Sequence, residues 1–319
     1  MIPKLFAALA LALSIAPAGA QNVYPVRPVK LLVGFAPGGA TDQLARLFAM
    51  KLTERLGQPV IVDNRPGSGG NIAVHQVAQA SPDGHTLVMA ANYVAVNSAL
   101  GRNPYNWQRD LSPVALIAST PNLLVVPANS KIHALADILE AAKRPGSNVT
   151  YGSPGMGSSV HLAGELFSVM AGVKMTHVPY KGVAPAEVDL SAGVLDLMFD
   201  SISTAVPLVE AGRLRALAVT GKQRVKALPN VPTMEELGMK GFNVEATYMV
   251  LAPAKTPTFI VEKLCTAIAD ISRQPEVQRF EEGLYAQPLK GGAAETNAFL
   301  KGEEQKWVDV VKASGLKID

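Results

Sequence analysis

The sequence predicts an α/β fold built as two lobes with a cleft between them, and three observations carry the prediction. Short apolar segments alternate with amphipathic ones, the pattern of parallel strands covered by helices on both faces. A chain of 319 residues is longer than one hydrophobic core readily fills. A passage from strand through glycine turn to helix occurs twice, as "VGFAPGGATDQLARLF" from Val33 to Phe48 and "YGSPGMGSSVHLAGELFSVMA" from Tyr151 to Ala171.

The elements follow in chain order. Residues 1–20 place Lys4 ahead of an apolar run and close on Ala18-Gly19-Ala20, which reads as a secretory signal peptide cleaved before Gln21. The residue at that cut is Gln21 and not a cysteine, and no later run approaches the roughly 18 apolar residues of a membrane span. The mature protein is therefore expected to be exported and free of a lipid anchor. Strands are expected at 29–35, 60–62, 86–90, 114–117, 123–126, 149–151, 175–178, 195–199, 214–219 and 248–251. Helices are expected at 41–56, 71–80, 135–143 and 158–171, with a mostly helical tail from Pro257. The first lobe is assigned to 21–121 and 250–319 and the second to 122–249, with chain crossings near Pro121-Asn122 and 249–252.

Several chemistries are disfavoured by what the chain holds. Its formal charge is +3 with no basic run, so nucleic acid is not an expected partner. The single Cys265 cannot form an internal disulfide and reads as a small core residue. None of the five histidines lies four residues from another, which removes a helical metal pair. Neither glycine turn is a Walker or Rossmann motif, and no serine sits in G-x-S-x-G. No cofactor, metal or catalytic residue is expected, and the chain is read as a monomer.

What remains is binding. The first N–H groups of a helix lack internal acceptors, and a glycine turn lets backbone come close to a ligand, so each passage is a candidate anion seat. Thr41 or Asp42 would cap the first helix and Ser158 or Ser159 the second. Ligands of open α/β sheets gather at the carboxyl ends of strands, which adds Tyr180, Lys181 and Gly182 after one strand and Asp200 after the next. Lys181 could instead be solvated, and Asp200 could cap a helix. His161 reads equally as a ligand contact or as a packing or capping residue, and His177 as a hydrogen-bonded core residue. A third turn, Gly67-Ser68-Gly69-Gly70, reads as structural.

Six stretches carry a resemblance. "YPVRPVKLLVGFAPGGATDQLAR", "VDNRPGSGGNIA", "SPDGHTL", "YGSPGMGSSVHLAGELF", "HVPYKGVAPAEVDLSAGVLDLMFD" and "GRLRALAVT" resemble, in order, the signatures of the Bug or TctC-like extracytoplasmic solute receptors. The resemblance spans essentially the whole chain after the leader. It implies a type II-like periplasmic binding protein of two Rossmann-like domains, serving the membrane components of a tripartite tricarboxylate transporter. It implies a small carboxylate ligand, whether a di- or tricarboxylate, an acidic amino acid or an aromatic acid.

Carried onto this chain, the resemblance places Phe35, Ala36, Pro37, Gly38, Gly39, Thr41 and Asp42 on one side of the ligand. Ser153, Gly155, Met156, Gly157, Ser158 and His161 would face it from the other. Tyr180, Lys181, Gly182 and Asp200 would frame the far end, and Asn92 and Tyr93 would read the rest of the ligand. Gly34 departs from the proline commoner in that loop, which leaves pocket shape open. Two readings of other classes stand beside this one: a sensor feeding a signalling partner, and an exported hydrolase using Ser153, Ser158 or His161.

Overall fold

Two sheets share one long strand. The computed structural model describes residues 23–101 and 103–314, so the signal peptide expected at 1–20 lies outside the described residues. In the first lobe, β1 (Val29–Val33), α1 (Ala40–Leu56), β2 (Val60–Asn64), α2 (Asn71–Ala78) and β3 (Thr86–Ala91) alternate as expected. β1 pairs in parallel with β2 and β3. Short helices α3 (Tyr93–Ala99) and α4 (Trp107–Asp110) lead into β4 (Leu111–Pro127). The second sheet follows with α5 (Leu135–Lys143), β5 (Thr150–Ser153), α6 (Ser159–Ala171), β6 (Thr176–Pro179), α7 (Val183–Ser191), β7 (Leu197–Ser201), α8 (Ile202–Glu210) and β8 (Leu214–Val219). The chain then returns through β9 (Glu245–Pro253), α9 (Thr258–Ser272), α10 (Pro275–Gly283), β10 (Gln287–Pro288) and α11 (Ala293–Ser314).

Local chemistry explains where the helices stop. Gly57 and Gly172 close α1 and α6 at φ 73° and 64°, and their N–H groups return to Thr53 and to Ser168 and Val169. Leu44, Leu47, Phe48 and Leu52 recur at helical spacing along α1 and are buried.

The strands at 114–117 and 123–126 are one strand of 17 residues, although Pro121 reads locally as a break. Pro121 pairs with Glu245 at the start of β9, while Asn122 pairs with Ser201 of β7, so the strand changes sheets between those two residues. Register shifts at Pro113/Ala115, Leu116/Ala118 and Leu124/Val125 accommodate the bend. The sheets are accordingly mixed: β4 runs antiparallel to β7, β8 and β9, because a strand that leaves one sheet must be met by one coming back. Residues 249–252 lie mid-strand in β9 against β3 and β4, so the return crossing precedes Glu245.

Thr220 fastens the two crossings. Its hydroxyl accepts from Asn122 N–H at 2.8 Å and donates to Val244 O at 2.6 Å, and its own N–H donates to Asn122 O at 2.9 Å. Two cores flank it: one contains Leu31, Phe48, Leu87 and Val250, the other Leu124, Tyr151, Phe167 and Phe199. α11 serves both, with Leu300 in the first and Trp307 in the second. Cys265, read from sequence as a core residue, is only half-buried on α9, where Gly292 packs against its sulfur.

Thr220→Val keeps the shape but orphans Asn122 N–H and Val244 O, and is expected to cost about 2 to 4 kcal/mol in urea unfolding. Glu281 on α10 is fully buried with no partner for either carboxylate oxygen, and burial pushes its carboxyl up from 4.5 to about 7. The folded protein holds that proton where the unfolded chain releases it. Wild type should therefore lose about 3 kcal/mol relative to Glu281→Gln as pH rises from 4.5 to 7, read as the difference in unfolding free energy.

Candidate functional site

A cleft opens where the starts of α1 and α6 meet the carboxyl ends of β3 and β7 and the start of β9. On the first-lobe side Gly38 takes φ 103°, a conformation that favours glycine, and α1 begins at Ala40 with Gly39 as an uncapped N-cap. Neither Thr41 nor Asp42 caps the helix, because both already lie in its first turn. Asp42 braces the loop instead. Its Oδ2 accepts from Gly38 N–H and Arg46 Nε, each at 3.0 Å, and its Oδ1 accepts from Asn64 Nδ2 at 2.9 Å. Burial opposes the charge, yet these donors outweigh it and hold the carboxyl below its usual range. Gly34 lies so close to Gly70 that a Cβ would come within 2.5 Å of the Gly70 Cα.

The second loop is braced by side chains of its own lobe. Ser158 caps α6, accepting from His161 N–H at 3.3 Å and donating to Gly155 O at 2.7 Å. His161, buried, accepts from Gly157 N–H through Nδ1 at 3.1 Å. Its ring lies 4.3 Å from that of His177, whose Nε2 is 2.6 Å from Ser153 Oγ. Tyr151 stacks on His177 and hydrogen-bonds Glu165, which stands 3.7 Å from His161 Nε2. His177 is thus the hydrogen-bonded residue expected, though half-buried, and His161 supports the loop. Ser153 is fully buried and accepts from Gly155 N–H at 3.1 Å, which withholds its hydroxyl from the cleft.

The two lobes touch across the cleft. Ala36 N–H donates to Lys181 O at 3.3 Å, and a Cβ on Gly182 would stand 2.9 Å from that of Ala36. Gly69, in the turn read as structural, meets the second glycine loop: a Cβ there would lie 1.7 Å from Met156 O. That turn is therefore an interlobe contact, which its local sequence does not reveal.

Of the residues named from sequence, Phe35, Ala36, Gly39, Thr41, Asp42, Asn92, Tyr93 and Ser158 line the cleft together. Pro37, Gly38, Ser153, Gly155, Met156, Gly157 and His161 belong to the two loops without lining it. Lys181 and Gly182 face the first loop by backbone, whereas Tyr180 N–H donates to Ser153 O of the second loop at 2.8 Å and its Oη donates to Asp189 at 2.5 Å. Asp200 is fully buried off the cleft, its Oδ1 accepting from Ser201 N–H, with burial and Glu187 pushing its carboxyl well above the usual range. Ser201, at the end of β7, lines the cleft, and Asn122 and Tyr248 line it unannounced, because only the pairing of distant strands brings them there. Ser159 also lines it, although the sequence suggested only capping. None of these lining residues is a lysine or arginine.

The model described as "Tripartite tricarboxylate transporter family receptor" matches residues 44–316. The chain belongs to that family. It is 34% identical over 300 residues to the protein BugT of Bordetella pertussis, covering 93% of this chain and 92% of that one. Among solved structures it is similar to R. palustris Rpa4515 with adipate, at 37% identity, TM-score 0.86 and coverage of 92% and 98%. It is likewise similar to MatC from Rhodopseudomonas palustris with bound malate, at 33% identity, TM-score 0.86 and coverage of 90% and 100%. The receptor thus has the expected two-lobed periplasmic binding protein architecture.

In this receptor the Gly69–Met156 contact forms only when the lobes are together. Gly69→Ala would force the loops apart, and at φ 60° it adds about 1 to 2 kcal/mol of backbone strain. Small-angle scattering is expected to give a larger radius of gyration than wild type under the same conditions.

Proposed function

We propose that this protein is a periplasmic receptor that closes on a small carboxylate and passes it to the membrane components of a tripartite tricarboxylate transporter. The observation that carries this reading is the meeting of two helix starts in one cleft whose lining includes no cationic side chain. Residues of the first turns of both helices, Ala40 and Thr41 on α1 and Ser159 and Val160 on α6, border the space where a carboxylate would lie.

Each helix start contributes the equivalent of about half a positive charge, carried by N–H groups with no acceptor inside the helix. Fixed amides offset an anion's loss of water without burying a lysine or arginine that would itself have to be desolvated. The loops are suited to this because their side chains are braced beforehand: Asp42 and His161 each hold a glycine N–H of their own loop, at Gly38 and Gly157. A carboxylate gripped from both lobes stabilises the closed form by as much as its affinity for closed exceeds that for open. Rpa4515 with adipate and MatC with malate, both like this chain over most of its length, support an aliphatic dicarboxylate as the first class to test.

The Ser153–His177 pair, with its serine buried in the loop, weighs against the hydrolase reading. We assign ligand contact to Phe35, Ala36, Gly39, Thr41, Asn92, Tyr93 and Ser158, and treat the chain as a monomer.

A thermal-shift panel of adipate, malate, a tricarboxylate, acidic amino acids and aromatic acids tests the proposal on residues 21–319. A ligand at about 100 times its Kd adds about 2.7 kcal/mol, or roughly 5 °C in midpoint. A selective shift by one acid class is expected; a panel with no shift would sink the reading.

A further inference from the structure

Among the residues bordering the cleft, two side chains present a buried polar atom with no partner: Tyr93 through Oη and Asn122 through Nδ2. Tyr93 occupies a position already expected to contact the ligand, but Asn122 does not. It is 1% exposed, and its backbone is fully engaged with Thr220, so the side chain is not needed to hold the strand. Its Oδ1 accepts only a long 3.4 Å bond from Ser159 Oγ, a residue of the first turn of α6 that borders the same cleft. A buried amide whose N–H bonds are unmade is destabilising, and such a group beside an anion seat has a use when an acceptor arrives.

We propose that Asn122 is a ligand-binding residue whose Nδ2 donates to an oxygen of the bound acid. The assignment rests on the carboxylate reading above and adds to it a donor that belongs to neither glycine loop. Its position gives it a second consequence. Asn122 is the first residue of β4 paired in the second sheet, immediately after Pro121, the last paired in the first. A ligand oxygen bonded there is tied to the crossing strand itself, and so senses the angle between the lobes. The requirement is for an acceptor at that point, be it a carboxylate, carbonyl or hydroxyl oxygen, and an alkyl group there would leave the amide orphaned.

Isothermal titration of the mature chain with adipate and with malate, alongside the unfolding midpoint without ligand, tests this on Asn122→Leu and Asn122→Asp. Loss of a hydrogen bond to a charged acceptor predicts a Kd about 10- to 100-fold weaker for Asn122→Leu. Its ligand-free midpoint should equal or exceed wild type, since an unpaired buried N–H is removed. Asn122→Asp, nearly the same shape, places a carboxyl toward the ligand oxygen and should weaken binding by about 100-fold or more. A Kd within about threefold of wild type for Asn122→Leu overturns the assignment, as does a loss of affinity matched by a loss of ligand-free stability in both variants. If wild type binds neither acid nor any other member of the panel, the carboxylate reading fails and this assignment falls with it.

Discussion

A single threonine hydroxyl governs how the two halves of this molecule meet. Thr220 bonds both places where the chain passes from one sheet to the other, taking the N–H of Asn122 and giving its own proton to Val244 O. Those bonds lie where the two lobes join. Each lobe has its own core, and α11 joins them by placing Leu300 in one and Trp307 in the other. The cleft then follows from geometry, since the starts of α1 and α6 reach the same gap from opposite sides.

The cleft's chemistry is one of amides prepared in advance. In the first loop Asp42, Asn64 and Arg46 form a small network that fixes the turn from behind, and in the second His161, His177, Tyr151 and Glu165 do the same. Both networks face away from the ligand space or engage the loop's own N–H groups. A rigid loop loses little freedom when a ligand arrives, and that is where a site of dipoles gains over a site of flexible charged side chains. The third glycine turn completes the arrangement by touching Met156 only where no side chain intervenes.

Much of this was legible in the residues, for reasons that differ by element. The two glycine turns, the strands before them and the helices after them follow from local spacing, and Ser158 does cap α6. The side of the cleft built from residues 35–42 and 92–93 was readable because it lies on contiguous loops. Asn122 and Tyr248 were not, since each is an ordinary strand residue until β4, β7 and β9 are paired. Pro121 misled for the same reason: a proline breaks a central strand, but here it falls where the strand leaves one sheet. Asp42 lies in the first turn of α1 and not at the cap suggested for it, and His161, read equally as a ligand contact or as a packing or capping residue, accepts from Gly157 N–H, because sequence gives a position near a helix start and not which atom is faced.

The last helix has a consequence for how the chain is made. α11 puts Leu300 into the first core and, two turns later, Trp307 into the second. β9 and α9, which also come late, fill the middle of the first core. A ribosome releasing this chain from its N-terminus therefore delivers the first core complete only after β9, α9 and α11 have emerged, and closes the second with Trp307.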